Sequence, residues 1–211
     1  MPDYHRLQGL YVLTDEHLLA PEGLHAAVSA AIEGGCQLVQ YRDKHSSQSV
    51  RRQQAQRLNA LCQRNDITFI INDDIELAIA VNADGIHIGK HDASLEVARS
   101  RLDDSKIIGV SCYNDFGLAK QAEQQGADYV AFGSFYSSTT KPDAVKADLQ
   151  LLQKARQELS IPVVAIGGIN HHNANELIAA GADMIAVVSA VFKSSNVTES
   201  ARKFSALFDQ V

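Results

Sequence analysis

Cysteine is scarce in this chain, three in 211 residues, and the three stand far apart at Cys36, Cys62 and Cys112. No two form a CxxC pair. That speaks against a disulfide framework, and three buried small hydrophobes in a reducing compartment are expected. The opening residues lack an apolar core of signal-peptide length: Met1 to Leu10 carries Asp3, His5 and Arg6. No apolar run is long enough to cross a bilayer. Nor is there a Lys/Arg block: 25 acidic against 19 basic residues leave a net charge of −6. A nucleic-acid or membrane partner is therefore not expected, and the cytoplasm is the expected location. Linkers and low-complexity stretches are also missing, so one domain spanning 1–211 is predicted. A homo-oligomer is compatible with the sequence.

What the chain does contain is one pattern, repeated: a short apolar run, then an amphipathic helix. The runs are Leu10–Leu13, Leu38–Tyr41, Thr68–Ile71, Gly85–Ile88, Ile107–Ser111, Tyr129–Phe132, Val163–Ile166 and Met184–Val188. Helices are predicted over 22–33, 48–64, 75–81, 95–102, 118–125, 145–159, 173–180 and 198–208. Gly34-Gly35, Gly126 and Gly181 supply stop signals after three of them. Parallel strands buried on both faces read as continuous apolar runs, as these do. Eight such units in so short a chain predict an α/β fold, a single (β/α)8 TIM barrel, over an open doubly wound sheet.

In a barrel of this kind, chemistry sits at the C-terminal strand ends. Gln40, Arg42 and Lys44 alternate through the end of strand two and share a face. An amide, a guanidinium and an ammonium suit a phosphate or diphosphate, and an ordinary charged loop is the plain alternative. Asn72, Asp73 and Asp74 end strand three, and Asp92 follows strand four. Two carboxylates on neighbouring strand ends suit Mg²⁺, which takes oxygen ligands. Helix capping is the competing reading, and it fits Asp74 better than Asp73. His87, inside strand four, reads as packing or hydrogen bonding. Ser111 ends strand five. Ser138, Thr140 and Lys141 follow strand six, in a longer loop suited to a polyanion or a lid. Gly167-Gly168 and Val188-Ser189 follow strands seven and eight, where barrels often bind phosphate through backbone N–H groups. Two anionic sites on one rim suit the joining of two phosphorylated molecules.

These motifs together resemble the thiamine-phosphate synthase family, also called thiamine-phosphate pyrophosphorylase. The resemblance runs from Leu10-Tyr11-Val12-Leu13-Thr14-Asp15 to Val187-Val188-Ser189-Ala190. It rests on Gln40-x-Arg42-x-Lys44, Asn72-Asp73, Ala83-Asp84-Gly85-Ile86-His87-Ile88-Gly89 with Asp92, Gly109-Val110-Ser111, Gly126-Ala127-Asp128-Tyr129, Thr140-Lys141 and Ala165-Ile166-Gly167-Gly168-Ile169. The family condenses a hydroxymethylpyrimidine diphosphate with a thiazole phosphate, giving thiamine phosphate and pyrophosphate with Mg²⁺. A carboxylated thiazole is implied as a further acceptor.

Carried over, the resemblance implies that Gln40, Arg42, Lys44, Asn72, Ser111 and Lys141 bind the pyrimidine diphosphate. Arg42, Lys44 and Lys141 are the implied catalytic cations, and Asp73 and Asp92 the Mg²⁺ ligands. Ser138, Thr140, Gly168, Val188 and Ser189 would form the thiazole-phosphate site. The chain departs from the family pattern at Lys90, where Gln is usual, and at Tyr113, where His is frequent. It also has Ser137-Ser138-Thr139-Thr140-Lys141 in place of Pro-Thr-x-Thr-Lys. A thiazole tautomerase on the same fold, a phosphosugar isomerase and a non-catalytic thiamine-phosphate binder are the competing readings.

Overall fold

The computed structural model describes residues 6–89, 92–137 and 146–210. Eight parallel strands close into a barrel in chain order. They are β1 (Gly9–Leu13), β2 (Leu38–Tyr41), β3 (Thr68–Asn72), β4 (Gly85–Ile88), β5 (Ile107–Tyr113), β6 (Tyr129–Phe132), β7 (Val163–Ile166) and β8 (Met184–Val187). β1 closes the ring against β8, with Leu10 opposite Ile185. The helices are α1 (Leu24–Glu33), α2 (Gln48–Arg64), α3 (Ile75–Val81), α4 (Leu95–Arg101), α5 (Phe116–Gln124), α6 (Leu149–Glu158), α7 (Ala174–Ala180), α8 (Ser189–Phe192) and α9 (Val197–Ser205).

Strand alternation divides the core in two. Val12, Val39, Phe69, Ile71, Ile86 and Ile108 face outward into the layer beneath the helices. Tyr11, Leu38, Ile70, Tyr129, Val164 and Met184 fill the barrel interior. Gly109 is required by this filling: a Cβ there would lie 1.9 Å from the Tyr129 ring. Cys36, Cys62 and Cys112 are buried and unpaired. Burial pushes the Cys62 and Cys112 thiols up to about 12, so they stay protonated as small hydrophobes.

Caps define where the helices begin. Asp115 accepts from the Gly117 and Leu118 N–H groups, which starts α5 at Phe116, ahead of the expected Leu118. Asp148 caps α6 at Leu149, and the expected start at Val145 lies outside the described residues. Asp74 caps α3 through the Leu77 N–H. Each such cap contributes roughly 1 kcal/mol. The C-terminal helix begins at Val197 and ends at Ser205, short of the expected Phe208. The expected strand over 184–188 stops at Val187, because α8 starts immediately after Val188.

One device recurs on the N-terminal side of the barrel. The Ala-Asp pair preceding β4, β6 and β8 places an aspartate under the preceding strand. Asp84 accepts the Phe69 N–H at 2.8 Å, Asp128 the Ile108 N–H at 2.7 Å, and Asp183 the Val163 N–H at 2.7 Å. These carboxylates hold strand starts in register, at the end of a barrel that serves stability.

Candidate active site

The C-terminal strand ends gather the polar residues. The alternation through Gln40, Arg42 and Lys44 holds: Tyr41 between them turns outward, its hydroxyl 2.7 Å from Gln54 of α2. The three side chains nevertheless have separate partners. Gln40 is buried in the barrel and donates to the Tyr11 hydroxyl at 2.6 Å. Arg42 lies 3.6 Å from Glu16, in the loop after β1. Lys44 lies 2.9 Å from Asp73, just beyond β3. The expected convergence on a single spot is thus a row across three strand ends, because each cation takes its nearest carboxylate.

Asp73 sits at φ +63, a left-handed conformation that Asp tolerates better than most residues. Its N–H donates to the His87 carbonyl at 2.9 Å. That turn brings its carboxyl into hydrogen-bonding contact with Asp92. The Gly89 N–H holds Asp92 at 2.7 Å. Burial raises the Asp92 pKa, the neighbouring Asp73 carboxyl adds to the rise, and Lys44 offsets part of it. Two carboxyls driven together are a donor set that fits a hard divalent cation, which would remove their repulsion. Asp92 does not cap α4; Ser94 does, through the Val97 N–H. Asn72 ends β3, in alternation with the inward-facing Ile70.

Within the barrel runs a chain of hydrogen bonds. From Gln40 it passes to Tyr11, then 2.9 Å to Tyr129, 3.0 Å to His87 Nδ1, and 2.8 Å from His87 Nε2 to Ser111. It spans β2, β1, β6, β4 and β5 and satisfies buried polar groups that would otherwise be costly. Burial raises the pKa of both tyrosines, so they remain protonated. A bulge between Ser111 and Tyr113 carries β5 two residues beyond its expected end. Tyr113 stands there at φ +55.

Beyond β7, Gly167 and Gly168 both have positive φ. A Cβ on Gly168 would lie 2.6 Å from the Ser137 carbonyl, because the segment after β6 packs on this turn. That segment is tied down by the Phe135 N–H to Ile166 and the Tyr136 N–H to Gly167. The peptide between Gly133 and Ser134 is cis. Val188 precedes α8 and Ser189 opens it, so the Ser189 N–H is among those a helix leaves without an internal partner. Ser138, Thr140, Lys141 and the departure at Lys90 lie outside the described residues.

Glu16, Tyr11 and Tyr129 were not singled out from the sequence. Glu16 receives the Lys44 N–H at 3.2 Å and His45 Nδ1 at 2.6 Å. Burial raises its pKa, but hydrogen bonds from its own N–H, His45 and Lys44, with the Arg42 charge, bring the net value below the ordinary one. The two tyrosines read as apolar strand residues; a buried hydroxyl that must find a partner is the signal they offered. A cavity of about 870 Å³, lined by Gly9, Gln37, Arg156, Pro162, Asp183 and Phe208, opens at the opposite end. It is remote from these groups.

Fold and rim together define a TIM-barrel protein whose polar constellation occupies the C-terminal strand ends. The family model for thiamine monophosphate synthase matches residues 10–191, and the chain belongs to this family. It is 48% identical over 204 residues to the thiamine-phosphate synthase of Thioalkalivibrio sulfidiphilus, covering 97% of both chains. With that of Thiobacillus denitrificans it shares 49% over 200 residues, 95% of this chain and 94% of the relative. The thiamine phosphate pyrophosphorylase structure from Pyrococcus furiosus superposes with a TM-score of 0.88 at 35% identity, covering 98% of each chain.

Proposed function

We propose that this protein is a thiamine-phosphate synthase, a transferase that condenses a hydroxymethylpyrimidine diphosphate with a thiazole phosphate. The products are thiamine phosphate and pyrophosphate, and a carboxylated thiazole serves as a further acceptor. The observation that carries this reading is the row Arg42, Lys44, Asp73 and Asp92 on adjacent strand ends. It matches the need to hold and release a diphosphate.

Asp73 and Asp92 would hold Mg²⁺, which supplies positive charge to the phosphate oxygens when bound. Arg42 and Lys44 exchange their carboxylate partners for diphosphate oxygens, joined by Lys141. Gln40, Asn72 and Ser111 orient the pyrimidine end. Ser138, Thr140, Gly168, Val188 and Ser189 hold the thiazole phosphate. The methylene carbon–oxygen bond breaks and its electron pair leaves with pyrophosphate, where the cations meet the growing charge. The electron-rich aminopyrimidine stabilises the cation left behind. The thiazole nitrogen lone pair then forms the new carbon–nitrogen bond. No protein nucleophile takes part. The cytoplasm suits this reaction and three buried free thiols.

Pyrophosphate release tests the reading, with each of the two substrates and Mg²⁺ omitted in turn. Release that needs all three, with thiamine phosphate as co-product, is the expected result. Binding of both substrates without release would identify a non-catalytic binder. Failure to bind the diphosphate would point to a thiazole tautomerase.

A further inference from the structure

Glu16 and His17 lie in the loop after β1, and His45 lies in the loop after β2. Strand pairing sets these loops side by side. One ligand atom from each residue falls within 4.8 Å of the others. His45 Nδ1 is 2.6 Å from Glu16 Oε1, and His17 Nε2 is 3.9 Å from the same oxygen. The two imidazoles are 5.2 Å apart between centroids.

We propose that Glu16, His17 and His45 form a binding site for a late first-row divalent ion of the Zn²⁺, Co²⁺ or Ni²⁺ class. Tetrahedral coordination at bond lengths of about 2.0–2.1 Å puts neighbouring ligand atoms roughly 3.3 Å apart. The separations of 2.6 and 3.9 Å lie on either side of that value. Closing the remainder falls to the His17 and His45 side chains, which are 73% and 69% exposed. The carboxylate is the fixed member: Glu16 is only 11% exposed, and its Oε2 faces the Arg42 guanidinium at 3.6 Å while its Oε1 faces both histidines. Both histidine backbones are held from below. Asp15 accepts the His17 N–H at 2.8 Å and Asp43 the His45 N–H at 3.0 Å.

Ligand chemistry separates this site from the Asp73–Asp92 pair. Imidazole nitrogen suits zinc, cobalt and nickel, whereas Mg²⁺ prefers oxygen alone. Three protein ligands leave a fourth position open to water or an anion. A captured ion would staple the loop after β1 to the loop that carries Arg42 and Lys44. The site stands independently of the synthase reading, because its test needs no turnover.

The test titrates Co²⁺ into the untagged full chain and follows its visible d–d absorption, with Zn²⁺ and Mg²⁺ as competitors. One Co²⁺ per chain is expected, displaced by Zn²⁺ and not by Mg²⁺. His17→Ala and His45→Ala should each weaken binding by more than the roughly 10- to 100-fold lost with a merely supporting residue. The double variant should bind none, with its circular dichroism unchanged, while His172→Ala, at an exposed histidine elsewhere, binds as the parent does. Absence of a stoichiometric site in the parent chain would overturn the proposal. So would retention of the site in the double variant, or displacement by Mg²⁺.

Discussion

Lys44 Nζ rests 2.9 Å from Asp73 Oδ2, joining the strand-two cation to the strand-three carboxylate. The lysine is half-exposed, so this contact stabilises the fold little. Its weight falls on the reaction. Lys44→Ala should lower the single-turnover rate on the order of 10²- to 10³-fold, the size of one lost transition-state donor. Affinity for the pyrimidine diphosphate should fall much less. An equal loss in both would assign Lys44 to ground-state binding alone.

Asp73 and Asp92 touch, so their substitutions should not add. Asp73→Asn and Asp92→Asn are each expected to raise the Mg²⁺ concentration required for half-maximal pyrophosphate release. The double variant should be little worse than either single one, as for two ligands of one ion. Additive losses in an Mg²⁺ titration would show that the two carboxylates act separately.

Tyr129→Phe removes the middle link of the interior chain, and with it the hydrogen bonds to the buried Tyr11 hydroxyl and to His87 Nδ1. A cost of about 1–3 kcal/mol follows. Urea denaturation should show a lower midpoint at unchanged slope.

Asp128 binds both the Ile108 N–H and the Arg99 guanidinium, each at 2.7 Å, on the N-terminal side of the barrel. Asp128→Ala should cost roughly 2–3 kcal/mol, as hydrogen bonds to a charged group are lost. The turnover number of the folded enzyme should stay at the parent value. A comparable fall in turnover would mean that the two ends of the barrel are coupled.

Glu123 gives the pH dependence. Burial raises its pKa, but Lys120 and the Ser160 N–H, each at 2.6 Å, outweigh that and hold the net value below 4.5. A depressed folded-state pKa contributes stability above the unfolded value, and this is lost as pH falls through the folded one. The parent chain should therefore be more stable than Glu123→Gln at pH 7. Thermal melts of the two should converge as the pH drops below the ordinary carboxylate range. A constant difference would place the effect in packing instead of charge.

The barrel was legible because its strands are short apolar runs, several of them closed by Gly, as after β4, β6 and β7. β2, β4, β6 and β7 begin and end where the sequence places them. α8 was not legible: four residues cannot display a helical period. The β5 extension was hidden by its bulge, which breaks strand alternation. The Lys44–Asp73 ion pair was not legible, since the sequence offered Lys44 only as a partner for a phosphate. Nor was the interior chain, since Tyr11 and Tyr129 are 118 residues apart and meet only when the ring closes. Glu16 was passed over because Thr14-Asp15 read only as the stop signal of a strand.

The interior chain is also anchored at one end. The Gln40 amide nitrogen can only give a proton, so the Tyr11 oxygen receives at that end. Beyond it, Tyr129 meets one ring nitrogen of His87 and Ser111 meets the other. An imidazole carrying one ring hydrogen gives at one nitrogen and receives at the other, so the part played by Ser111 at the rim is tied to that played by Tyr129 in the interior. A hydroxyl on β5 is thereby linked through one ring to an amide on β2.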